Sequence, residues 1–242
     1  MNDKDHPTSQ LTGPEAIASA LAAGESIGLL LVRKGPLSTE AKAVVAQAQA
    51  AGIPLRMESV NDLRRMGRGT QDSEVLALVG RHPEHDLAQL MAGDGAVWLI
   101  SGGAYPANVG VTIRTVEVSG AAGLVIDGEF TRKMKHLAMR VAMRADRFMP
   151  VLWESSLVAI EQAKAAGRPI VALEDTGTLA PWDVDLSGNP LIVVGGERDG
   201  IVPEVLACCD SIVRIPMPGF IGSYNVQIAV SMVAAERLRQ RS

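Results

Sequence analysis

Short apolar runs and longer amphipathic segments alternate along this chain. Runs at residues 28–32, 53–57, 75–79, 96–100, 124–126, 169–173, 191–194 and 211–215 are rich in Leu, Val and Ile and bounded by Gly, Pro or polar residues. Apolar runs of that length predict buried strands. Helical patterns fill the spaces between them: residues 14–23 before Gly24, 39–51 capped by Ser38 and ended by Gly52, and 61–66. Further helices are predicted from about Asn108 to Gly120, over 131–144, over 154–166 before Gly167, and over 223–240. The alternation predicts an α/β protein whose mostly parallel sheet is covered on both faces. Residues 1–10 are polar and expected to be disordered. Residues 81–95 are polar, expected to be helical, and read as a linker between a small domain at 11–81 and a second at 95–242.

The length of 242 residues suits one large domain or two small ones, and 47% hydrophobic with 21% charged residues suits a protein with a real core. A net charge of −4 excludes a uniformly basic nucleic-acid binder but leaves room for local phosphate tracks. Aromatics at 3% argue against a broad base-stacking platform. The two cysteines, Cys208 and Cys209, are adjacent, so no disulfide framework can be drawn, and LACCDS reads as a run of small buried residues. The first residues carry no apolar signal core, and no run approaches the length of a membrane span. A cytoplasmic protein without a membrane partner is expected.

Glycines gather where two strands end. Gly195, Gly196 and Gly200 follow the run at 191–194, and Gly219 and Gly222 follow the run at 211–215. Ligands of open α/β sheets sit outside the carboxyl ends of strands, and two such ends side by side would form a crevice. Neither the dinucleotide-binding nor the P-loop spacing occurs, so glycine content alone reads as tight turns. His82-Pro-Glu-His85 reads as a polar helix start, since no Cys accompanies it and H-E-x-x-H is absent; no metal is expected. Met134, Met139 and Met143 read as core filling. Arg132, Lys133, Lys135, Arg140, Arg144 and Arg147 crowd one basic stretch, and Arg64, Arg65 and Arg68 form a second. Such runs are ordinarily solvated faces, yet two on a net acidic protein read as phosphate tracks for RNA. Taken singly, Asn108 reads as a helix cap, and Glu197 and Arg114 as members of an ordinary ion pair.

Three segments together say more: Asn108-Val-Gly-Val-Thr-Ile-Arg114, Gly195-Gly-Glu-Arg-Asp-Gly200, and Ile215-Pro-Met-Pro-Gly219 with Ser223-Tyr-Asn-Val226. In order, spacing and placement toward the end of the chain they resemble the SpoU-type (TrmH-like) branch of the SPOUT methyltransferases, over residues 108–236. The resemblance implies an enzyme that methylates the ribose 2′-hydroxyl of tRNA or rRNA, with rRNA favoured, using S-adenosylmethionine. It also implies a C-terminal domain threaded as a trefoil knot, and a homodimer whose active site is completed across the interface. The implied cofactor residues are Gly195, Glu197, Gly200, Ile215, Met217, Ser223, Tyr224, Asn225 and Val226. The implied catalytic set is Arg114, Asn108, Glu197 and Asn225. Family assignment gives Arg114 the removal of the hydroxyl proton with help from a substrate phosphate. A guanidinium keeps its proton at ordinary pH, so it could equally hold the phosphate and orient the hydroxyl. Asn108 and Asn225 suit fixing a ribose or a loop, and Glu197 suits positioning Arg114 or loop amides.

The first domain resembles the family's N-terminal RNA-binding extension, whose fold is like that of a ribosomal protein. Relatives usually carry Leu at Tyr224, Gly at Arg144, and His-Gln-Gly at Thr70-Gln71-Asp72, departures that bear on the pocket, on substrate access and on the RNA recognised. Two rivals follow from the same residues. One is a catalytically silent RNA-binding relative, against which the intact Asn108, Arg114, Glu197 and Asn225 stand. The other is a nicotinamide-linked α/β enzyme, against which the missing fingerprint stands.

Overall fold

The computed structural model describes residues 10–67, 73–80 and 82–242. Arg68, Thr70, Gln71 and Asp72 lie outside the described residues. The chain divides into two compact units, residues 1–83 and 84–242.

The first unit holds strands β1 (Gln10–Thr12), β2 (Ile27–Arg33), β3 (Leu55–Glu58) and β4 (Val75–Val79) in the order β1-β4-β2-β3. Helices α1 (Pro14–Ala22), α2 (Thr39–Ala50) and α3 (Val60–Met66) connect them. Strand β2 is buried from Ile27 to Val32, which is why it reads as an unbroken apolar run. Ser38 caps α2, its hydroxyl accepting from the Ala41 amide at 3.2 Å, and Glu74 accepts from the Ser38 hydroxyl at 2.5 Å. This sheet departs from the expected parallel pattern: β2 and β3 are parallel, but β4 runs antiparallel to both β1 and β2. Gln10, expected to be disordered, begins β1. A three-residue strand is too short to show a period of two, and the apolar pattern carries no strand direction.

In the second unit six strands form one sheet in the order β10-β8-β9-β5-β6-β7, every neighbouring pair parallel. They are β5 (Val97–Ser101), β6 (Gly123–Ile126), β7 (Val151–Trp153), β8 (Ile170–Leu173), β9 (Leu191–Gly195) and β10 (Ser211–Val213). The helices are α4 (Leu87–Ala92), α5 (Pro106–Val118), α6 (Arg132–Val141), α7 (Ser156–Ala165), α8 (Pro203–Leu206) and α9 (Val226–Arg241). Alternate residues of the central strands enter two separate cores, as the two-residue period of a strand requires. Trp98, Ile100, Ile192 and Val194 pack with Val109, Ile113 and Val116 of α5 and Val230 and Val233 of α9. Val97, Leu99, Leu191 and Val193 pack with Leu90 and Met91 of α4, Ala159 and Ile160 of α7, and Val205 of α8. Among the described residues no helix is long and apolar enough to cross a membrane.

Four expectations change here. Residues 81–95 are not merely a linker, because Leu90 and Met91 of α4 are buried in the second unit's core. Strand β7 and the short α8 were not legible, each spanning only three or four residues. The helix expected over 131–144 ends at Val141, and Met143 and Arg144 then adopt left-handed φ angles of 53° and 61°. Met143 is 68% exposed and fills no core, whereas Met139 packs against it. Finally, the strand ends of β9 and β10 are not neighbours, since β8 lies between them.

Candidate active site

Adjacent strands β5 and β9 send their connections to opposite faces of the sheet, α5 into one core and α8 into the other. Such a switch point opens a crevice at the carboxyl ends of the strands. A cavity of about 680 Å³ lies there, lined by the ends of β8 and β9, the loop into α5 and the segment from Arg214 to Val226. Gly195, Glu197, Gly200, Ile215, Met217, Ser223, Tyr224, Asn225 and Val226 all face it, together with Asn108.

Two glycines fix the loop after β9. The Gly196 amide donates to the Ser101 carbonyl at 2.7 Å, and a Cβ on Gly196 would lie 1.9 Å from the Gly102 carbonyl oxygen. Gly200 closes the loop at φ +63° and bridges back to Gly196. Arg198 and Asp199 are left exposed at its tip. Glu197 turns toward α5, its Oε2 accepting from the Ala104 amide at 3.1 Å and its Oε1 from Asn108 Nδ2 at 2.9 Å. Of the two partners expected for Glu197, the loop amide is engaged and Arg114 is not.

Arg114 stands apart. It is exposed on α5, does not line the cavity, and among the described residues makes no hydrogen bond or ion pair. Six residues separate it from Asn108, about 240° around a helix axis, so the two point to different sides of α5. Asn225 caps α9, its side-chain oxygen accepting from the Gln227 amide at 3.1 Å.

Glu174 and Asp175 line the cavity and escaped sequence reasoning. They follow β8, whose place between β9 and β10 no pattern along the chain discloses. The Glu174 amide donates to the Val213 carbonyl at 3.0 Å, and its Oε2 accepts from the Ile201 amide at 2.8 Å. This one residue therefore fastens the end of β8 to the end of β10 and to the loop that follows β9. Tyr105, Arg198 and Arg214 also line the cavity and were not singled out.

The candidate RNA residues fall in both units. On α6, Arg132, Lys133 and Arg140 are exposed, while the Lys135 ammonium sits over the Trp153 ring, 4.5 Å from its centroid. Arg144 grips Asp146 through Nε and Nη2, each at 3.0 Å. Its left-handed φ is the conformation glycine adopts most freely, and so costs this chain strain of order 1 kcal/mol. In the first unit Arg64 and Arg65 are exposed on α3, and Arg65 pairs with Asp62.

The fold of the chain is shared with solved structures. An AdoMet-bound rRNA methyltransferase from Sinorhizobium meliloti superposes with a TM-score of 0.60 at 22% identity, over 95% of this chain and 86% of that one. The SpoU methyltransferase AviRb from Streptomyces viridochromogenes gives 0.58 at 24% identity, over 96% and 89%. At such identities the likeness is one of fold. The SpoU rRNA Methylase family model matches residues 97–235, and the chain belongs to that family. Among curated relatives, the 23S rRNA (guanosine-2'-O-)-methyltransferase RlmB of Xanthomonas axonopodis pv. citri is 26% identical over 239 residues, 96% of each chain.

Proposed function

We propose that this protein transfers a methyl group from S-adenosylmethionine to a ribose 2′-hydroxyl of RNA, with ribosomal RNA as the substrate. One observation carries the reading: the bond from Asn108 to Glu197 joins two of the family's three motifs at the edge of a cavity lined by the third. Ribosomal RNA is preferred over tRNA because the full-length relative is named for 23S rRNA.

The cavity suits the cofactor. Four carboxylates (Glu174, Asp175, Glu197 and Asp199) line it against the guanidiniums of Arg198 and Arg214, an acidic balance for a ligand bearing a sulfonium and an ammonium. Gly195, Gly200, Ile215 and Met217 offer backbone groups, and Tyr224, between Ser223 and Asn225, offers a flat ring for adenine. When bound, S-adenosylmethionine supplies an electrophilic methyl on its sulfonium centre. Asn108, held by Glu197, fixes the ribose beside it, because in-line transfer depends on alignment. Arg114 binds the adjoining phosphate as a fork of donors and stabilises the charge that develops on the ribose oxygen as the hydroxyl gives up its proton to solvent.

Arg114 lies outside its own chain's cavity, so its part requires a homodimer in which it reaches the partner's cavity. Exposed apolar side chains on α5, on α9 and on the loop before α9 support one. Val118, one turn along α5, is 74% exposed, and Ile228 and Met232 are exposed on α9, which packs beside α5. Phe220 and Ile221 add fully and largely exposed apolar side chains on the preceding loop. The trefoil knot belongs to the same proposal, and an experimental trace of the chain through residues 195–226 tests it. The first unit serves as the RNA-recognition domain, and α6 as a second track. Charge reversal at Arg64 and Arg132 should weaken RNA binding across all sequences and flatten its salt dependence. Unchanged binding would remove those tracks from the account.

The function itself is tested by incubating the protein with methyl-labelled S-adenosylmethionine and RNA from a strain lacking it, then separating rRNA from tRNA. Label in rRNA is expected. Label in tRNA alone would change the substrate, and absence of both label and cofactor binding would overturn the reading.

A further inference from the structure

The whole chain contains two tyrosines, and both line this cavity. Tyr105 is 49% and Tyr224 40% exposed. In a protein with 3% aromatic residues, two half-exposed rings in one crevice point to flat ligands. Tyr224 lies among the residues assigned to the cofactor. Tyr105 does not: it precedes α5, on the side of Asn108.

A second flat group joins it. The Arg198 guanidinium lies over the Tyr105 ring, 5.7 Å from its centroid. Glu197 ties down the chain around Tyr105, its carboxylate accepting from the Ala104 amide on one side and the Asn108 side chain on the other. Arg198 is the next residue after Glu197. The carboxylate that positions Asn108 thus anchors the segment that carries Tyr105 next to the loop that carries Arg198. Proteins that act on single nucleotides of RNA hold unstacked bases against aromatic rings and guanidinium planes.

We propose that Tyr105 and Arg198 form a small stacking platform for the base of the nucleotide being methylated. The proposal rests on the methyltransferase reading and adds to it the residues that seat the target base. It also separates the cavity into a cofactor side at Tyr224 and a substrate side at Tyr105.

The test compares Tyr105→Ala, Tyr105→Phe, Arg198→Ala and Arg198→Lys with the wild type. Unmodified rRNA is the substrate for kinetics, and S-adenosylmethionine binding is measured separately by calorimetry. Loss of one stacked base predicts that Tyr105→Ala lowers kcat/KM for rRNA about tenfold while the cofactor Kd is unchanged. Tyr105→Phe should recover most of that loss, because it keeps the ring. Arg198→Lys keeps the charge but not the plane and should behave as Arg198→Ala does. The proposal is overturned if the cofactor Kd weakens in step with kcat/KM, if Lys rescues, or if kcat/KM does not move. A wild-type protein that neither binds the cofactor nor methylates would instead sink the methyltransferase reading itself.

Discussion

Arg114→Ala abolishes methyl transfer, with a fall in kcat of at least about 10²–10³, and leaves S-adenosylmethionine binding intact. The expectation follows from where the side chain is and what it lacks. Asn108 and Glu197 hold each other, and Asn225 caps a helix, but Arg114 is exposed with no partner among the described residues. A planar cation kept unpaired on the exposed side of α5, one turn from the exposed Val118, suits a phosphate brought by substrate at an interface. Arg114→Lys should recover little, because an ammonium lacks the two-pronged geometry. Mixing separately inactive Arg114→Ala and Glu197→Ala proteins gives the sharper result. If Arg114 serves the partner's cavity, re-formed mixed dimers carry one intact site and activity returns to about a quarter of wild type. If Arg114 serves its own cavity, no mixture contains an intact site and activity stays lost. That outcome would remove the dimer from the mechanism.

The largest stability effect is expected far from the cavity. Arg168 is 5% exposed and donates to five backbone carbonyls. Nε bonds Met91 at 2.7 Å, Nη1 bonds Gly95 at 2.7 Å and Asn189 at 3.0 Å, and Nη2 bonds Leu90 at 3.1 Å and also Gly93. Burial pulls its pKa below the ordinary guanidinium value, with Asp94 opposing the shift. Three of the carbonyls belong to the end of α4, where helix geometry leaves acceptors without intrahelical partners. Arg168→Met keeps the apolar stem and strands these acceptors, so a loss of about 3–5 kcal/mol is expected. All three tryptophans, Trp98, Trp153 and Trp182, lie in the second unit. Urea unfolding followed by tryptophan fluorescence therefore reads this unit alone. A loss under about 1 kcal/mol, typical of a surface pair, would mean that water replaces the guanidinium at little cost.

The same residues show what could be read in advance. Strands β2, β5 and β9 were legible because burial on both faces leaves unbroken apolar runs. Strands β1 and β7 were not, at three residues each. Residues 81–95 looked like a linker because their polar surface hides two buried side chains and the Arg168 clasp formed 73–78 residues away. The order of strands is a matter of three-dimensional topology, so nothing near Glu174 announced that β8 separates β9 from β10. Family motifs brought Asn108, Glu197 and the segment at 215–226 together, and no spacing rule would have done so. Tyr105 and Arg198 meet only in the folded chain, where the loop after β9 lies against the start of α5, and no spacing along the sequence pairs them. Arg144 illustrates the converse, since the glycine expected there matches a left-handed turn that the chain keeps with an arginine.

The central claim is that the methyl group goes to a ribose hydroxyl. The most direct test is to digest the labelled rRNA to nucleosides and separate them. The account predicts that all label travels with a 2′-O-methylated nucleoside and that none appears when Arg114→Ala protein is used. Label on a base-methylated nucleoside would contradict it, because the methyl would then sit on a base atom and not on the hydroxyl that Asn108 fixes.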